Sequence, residues 1–146
     1  MTTRDFSGQE ISTRRIWKPT LKKMTKEPRD YDREHTARID ADVRQRLGYS
    51  HDKGEVTRFV VQLEYRLDKW EVVVRYDHDP ESTHGHDVTE EGLHIDMYRD
   101  SEKYRTEYVA PSMPPGVALD FAEDHLSKNI QRFIKRFEQW HGIESR

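Results

Sequence analysis

The chain has 146 residues, enough for one ordinary domain, and its charged fraction of 36% stands above the usual ~25% while only 33% is hydrophobic. That balance limits the core and leaves part of the chain outside it. No apolar run is long enough to span a bilayer, Met1 is followed by no secretory h-region, and cysteine is absent, which excludes disulfides, thiolate metal ligands and a Cys nucleophile and points to a cytoplasmic protein without membrane attachment.

The net charge of −3 hides an asymmetry: the first third of the chain is basic and the remainder acidic. Residues 1–35 read as a basic, largely disordered arm, interrupted by Pro19 and Pro28 and carrying Arg14, Arg15, Lys18, Lys22 and Lys23. Such an arm favours anionic partners, RNA or DNA among them, although a solvated tail has the same composition. Residues 36–146 read as a single α+β domain. It would open on a short helix over 36–47, where Ile39, Val43 and Leu47 recur every four residues and Gly48 stands at the position of a C-terminal cap.

Residues 55–77 alternate apolar and polar side chains and predict a β-hairpin. A two-residue turn at Asp68-Lys69 would set Leu67 opposite Trp70, Tyr65 opposite Val72, Leu63 opposite Val74 and Val61 opposite Tyr76, all on one core face. The other face would pair Arg66 with Glu71 and Arg58 with Asp79. An irregular acidic stretch follows. A second hairpin, turning at Asp100-Ser101, would place Met97 opposite Tyr104, Ile95 opposite Thr106 and Leu93 opposite Tyr108, with Asp96 facing Arg105 and His94 facing Glu107.

Over residues 116–140, Ala118, Ala122, Leu126, Ile130, Phe133, Phe137 and Trp140 advance at helical spacing and predict one long amphipathic helix. The expected architecture is therefore an antiparallel four-stranded β-meander covered by this C-terminal helix, with the short N-terminal helix before it.

Chemistry-bearing residues gather where the first hairpin ends: Asp77, His78, Asp79, His84, His86, Asp87, His94 and Asp96. Imidazole and carboxylate suit Zn, Ni, Mn or Fe, but the spacing holds no H-E-x-x-H and no 2-His-1-carboxylate pattern with an evident third member, so no metal and no cofactor is expected. The same groups suit metal-free acid–base work, with Arg75 on the strand and Lys103 or Arg105 from the second hairpin as cations for a phosphate. A salt-bridged surface with no catalytic role fits them as well. The final helix adds Lys128, Arg132 and Lys135 on one strip, suited to phosphate contacts or to plain solvation. No glycine-rich phosphate loop and no G-x-S-x-G elbow is present.

The octapeptide Trp70-Glu71-Val72-Val73-Val74-Arg75-Tyr76-Asp77, followed by a His-containing loop, resembles the core signature of the small TumE-like proteins, toxin partners of prokaryotic toxin–antitoxin pairs with related domains of unknown function in archaea. The segment from Ala118 to Trp140, with Glu123-Asp124, Asn129 and Phe133, is similar to the helix that closes those domains. The resemblance covers about residues 55–140. It implies Arg75, Asp77, His84 and His86 as catalytic residues, action on RNA or translation, and an antitoxin partner. A non-catalytic module binding nucleic acid or protein is the alternative.

Overall fold

The computed structural model describes residues 31–143. Arg14, Arg15, Lys18, Lys22 and Lys23 of the basic arm lie outside them. Six strands follow one another as β1 (Arg33–Asp40), β2 (Val43–Asp52), β3 (Glu55–Arg66), β4 (Trp70–His78), β5 (Leu93–Arg99) and β6 (Glu102–Ala110). A four-residue helix α1 (Val88–Glu91) precedes β5, and α2 (Pro115–Trp140) closes the order. All six strands lie in one antiparallel sheet in sequence order. Among the described residues, no helix is long and apolar enough to cross a membrane.

This corrects the expected four-stranded meander with a short N-terminal helix. Residues 36–47 are not helical but belong to the β1–β2 hairpin, with Ala37 opposite Gln45 and Thr36 opposite Arg46. The four-residue recurrence of Ile39, Val43 and Leu47 also satisfies a period of two, and β1 is exposed throughout, so it lacks the apolar alternation that marks a half-buried strand. Gly48 is no helix cap. It sits inside β2, where a Cβ would press on the Tyr31 ring.

The first predicted hairpin keeps its outer register and loses its inner one. Leu63 opposes Val74 and Val61 opposes Tyr76, as the alternation requires. Closer to the turn the ladder slips: Glu64 opposes Val72, Tyr65 opposes Glu71 and Arg66 opposes Trp70. Val73 is the extra residue of this bulge, and it rotates Trp70 and Val72 onto the face of Glu64 and Arg66. The pairing of Arg66 with Glu71 is thereby lost. The Arg58–Asp79 ion pair forms at 3.4 Å.

The second hairpin turns where the alternation put it. Asp100 and Ser101 both have positive φ (55° and 67°), the combination of a type I′ turn. Beyond the turn the ladder skips Tyr104, so Met97 opposes Arg105, Ile95 opposes Glu107 and Asp96 opposes Thr106. Tyr104 and Tyr108 are exposed, not packed under the strand.

The core lies on one sheet face. Phe59, Val61 and Leu63 of β3, Val74 and Tyr76 of β4, and Ile95 and Met97 of β5 are all but fully buried. Ala118, Ala122, Leu126, Phe133 and Phe137 of α2 complete this core from the helix side. Burying each of the larger side chains contributes about 1.5–3 kcal/mol. Tyr65 donates to Glu138 Oε2 at 2.7 Å, which satisfies a carboxylate near the helix end. With the apolar residues spent on the α2 side, strand alternation sends every intervening side chain to the opposite face.

Candidate functional site

That opposite face is polar and largely buried. From β3 it receives Arg58, Gln62 and Glu64, from β4 Arg75 and Asp77, and from β5 Asp96, each alternating with a core residue. Gln62, Glu64, Asp77 and Asp96 are at most 4% exposed. Buried groups of this kind persist only with partners, and the partners form a chain across the sheet. Arg44 binds Glu64 at 2.6 Å and Arg46 approaches the same carboxylate at 3.6 Å. Glu64 also accepts from Gln62, whose amide oxygen accepts from Arg75 Nη1 at 3.3 Å. Arg75 Nη2 lies 3.9 Å from Asp77 Oδ2, and Arg75 stands directly opposite Asp96 in the ladder.

His86 reaches this chain because its loop folds back on the end of β4. Asp79 N–H donates to the His86 carbonyl at 2.8 Å, Ser82 N–H donates to the Asp79 carbonyl at 3.0 Å, and Gly85 packs so close to the Asp79 backbone that no Cβ fits between them. His86 Nε2–H then donates to Asp96 at 3.1 Å. Thr106 donates to Asp96 Oδ1 at 2.6 Å and Lys103 Nζ sits 3.3 Å from Oδ2. Ligand atoms of Asp77, His86 and Asp96 all lie within 4.8 Å of one another.

The electrostatics follow from burial and pairing. Burial pushes the Asp77 carboxyl up to about 6 against the opposing pull of Arg75 and His86, and its Oδ1 is buried with no hydrogen-bond partner. The hydrogen bond to Asp96 raises His86 to about 9, outweighing burial. Burial alone would raise Asp96, but the hydrogen bonds from His86 and Thr106 hold it below the ordinary carboxylate range.

At the other end of the same face the Val73 bulge has placed Trp70 among arginines. The guanidinium of Arg44 lies 4.1 Å from the indole centroid, with Arg38 at 5.3 Å and Arg66 at 5.6 Å. A row of Arg38, Arg44, Arg46, Arg66, Arg75 and Lys103 therefore runs over one side of the sheet, broken by buried carboxylates.

Of the residues singled out from sequence, Arg75, Asp77 and His86 come together. His84 is exposed on the loop before them. Lys128 is exposed and paired with Asp124 at 3.0 Å, Arg132 donates to Asn129 at 3.0 Å, and Lys135 is exposed. Asp96 and Lys103, weighed separately in the sequence, prove to be partners. Gln62, Glu64 and Trp70 were missed. Gln62 and Glu64 carry a signal, being polar positions between core residues of a strand whose far face is expected to hold charge pairs, while the alternation assigns Trp70 to the core face.

The model of a family described as a domain of unknown function, DUF7718, matches residues 24–143. No curated protein and no solved structure matches the chain.

Proposed function

The chain belongs to the DUF7718 family, and we propose that it is a cytoplasmic, RNA-directed protein of the TumE-like toxin kind that meets its target through the polar sheet face. The observation that supports this reading is the convergence of Arg75, Lys103 and His86 on the buried Asp77–Asp96 pair. Arg75 and Lys103 offer cationic donors to a phosphodiester, and His86, with His84 from the same loop, supplies acid–base or ligand groups. The arginines around Trp70 extend the cationic track, and the indole offers a surface on which a base can stack. Arg14, Arg15, Lys18, Lys22 and Lys23, with Lys128, Arg132 and Lys135, provide further phosphate contacts, and an antitoxin protein is the expected regulator.

The test is incubation of the purified protein with total RNA, with and without chelator, beside Arg75→Ala, His84→Ala and His86→Ala. Altered RNA profiles that depend on Arg75 and His86 support the reading. Identical profiles for all proteins and a buffer blank remove nuclease action.

A second reading, a non-catalytic module for nucleic acid or protein, is favoured by the pairing of Arg44, Arg75 and Lys103 with carboxylates inside the sheet face. Salt-dependent RNA binding without cleavage, unaffected by the histidine substitutions, supports it.

A further inference from the structure

We propose that His86, Glu91 and His94 bind one divalent transition-metal ion beside the polar face. The three come from separate elements: the loop that returns to β4, the last residue of α1, and the start of β5. Their ligand atoms lie within 4.8 Å of one another. Two imidazoles and one carboxylate form a donor set that suits Zn, Ni, Mn or ferrous iron and leaves coordination positions open.

Each of the three residues is held through its other polar atom. His86 Nε2–H donates to Asp96, which leaves Nδ1 on the side of Glu91, with Nδ1 and Oε1 at 3.4 Å. His94 donates from Nδ1 to the Gly92 carbonyl at 3.3 Å, which leaves Nε2 with its lone pair. Glu91 Oε2 accepts from Asp87 N–H at 3.2 Å, which leaves Oε1 available. Metal-binding histidines are usually oriented in this manner, by a carboxylate or carbonyl on the nitrogen away from the ion.

The spacing of the rings suits one shared ion: the two imidazole centroids are 5.3 Å apart, with the rings stacked nearly parallel at 10°, so one ring must turn for both nitrogens to point at the ion. Two imidazoles sharing one metal at about 2.0–2.1 Å and a near-tetrahedral angle place their centroids about 5 Å apart. The ion would take the place of the proton now held between His86 Nδ1 and Glu91. The bonds that Thr106 and Lys103 make to Asp96 would stay intact. The alternative set, Asp77–His86–Asp96, is less suited, because Asp96 already receives three donors.

Glu91 is exposed, so the open positions face solvent. An ion there stands beside the cations proposed to hold phosphate, and it would add Lewis-acid character to that site. This last point alone rests on the RNA reading.

The experiment is calorimetric titration of the full chain with Zn²⁺ and with Co²⁺, together with Co²⁺ visible absorption, in the absence of RNA. One ion per chain is expected, with affinity falling more than about tenfold in His94→Ala and in Glu91→Gln. Asp77→Asn, which removes a carboxylate of the alternative set, should lower affinity less than either of these variants. Thermal melts of His94→Ala and Glu91→Gln identify any variant that fails to fold, and because both residues are partly or fully exposed, two independent variants carry the test. Absence of stoichiometric binding overturns the proposal, as does unchanged affinity in both variants or loss confined to Asp77→Asn. Metal binding without RNA cleavage would retain this site and remove only the nuclease reading.

Discussion

Tyr76 and His125 share a hydrogen bond of 2.8 Å on the helix side of the sheet, with their rings edge to face at 5.8 Å. Burial pushes the Tyr76 phenol well above its usual range, so it stays protonated and donates to His125 Nδ1. Burial also lowers His125, with Arg132 and Lys128 adding to the effect against Asp124. A histidine whose folded pKa is depressed binds fewer protons folded than unfolded. Its contribution is complete above the unfolded value of about 6.5 and is lost as pH falls below it. Between pH 7 and pH 5 His125 therefore contributes a loss of stability, read by urea denaturation as the difference between the wild-type profile and that of His125→Gln, while Asp77 and His86, both raised, act in the opposite sense over part of that range. His125→Gln should remove that contribution, and Tyr76→Phe should cost about 1 kcal/mol at neutral pH. An unchanged slope in His125→Gln would assign the pH dependence to other groups.

Gly85→Ala tests how His86 is positioned. The added Cβ meets the backbone carbonyl of Asp79, which cannot swing aside as a side chain would. The loop must open, and a loss of about 1–3 kcal/mol is expected, in line with overpacking elsewhere. The His86 ring resonances should shift in the same variant, because the Asp79 N–H to His86 carbonyl bond fixes the return of the chain. Wild-type stability with an unmoved His86 would contradict this account.

Trp70 and Arg75 should separate stacking from charge in RNA binding. Trp70→Ala is expected to weaken binding of single-stranded RNA by about 1–3 kcal/mol at every salt concentration. Arg75→Ala should lower the slope of log affinity against log salt by about one contact. Fluorescence anisotropy with a labelled oligonucleotide over a salt series distinguishes the two. Equal effects on affinity and slope from both variants would refute the division of roles.

The Asp100-Ser101 turn holds two non-glycine residues at positive φ between the paired Arg99 and Glu102. Left-handed backbone is costly for residues with a Cβ, and Asn-Gly is the favoured pair for this turn. Replacing Asp100-Ser101 by Asn-Gly should raise stability by roughly 1 kcal/mol, read as a shift in the urea midpoint. A decrease would mean that the Asp100 or Ser101 side chain stabilises the turn.

The outer half of the first hairpin, the second turn and the long helix were legible in the sequence because each buries one clean face. Val61, Leu63, Val74 and Tyr76 alternate without interruption, and Ala118 to Phe137 keep a helical stripe. The β1–β2 hairpin was illegible for the opposite reason. Its first strand buries none of its side chains, and Arg44 and Arg46 of its second strand serve a buried glutamate instead of solvent. The bulges at Val73 and Tyr104 leave no mark in a pattern of apolar letters, since Val73 itself is apolar and buried. Glu91 leaves no mark in the sequence because its contact with His86 depends on a loop closing and a helix of one turn, neither of which strand alternation describes.

The single inserted residue at Val73 makes strand length, not only residue type, decide where an aromatic lives. Deleting that one position would turn Trp70 to the other side of the sheet, away from the guanidinium groups of Arg38, Arg44 and Arg66. The segment thus stores two addresses, one for the oily interior and one for the charged exterior, and counts between them.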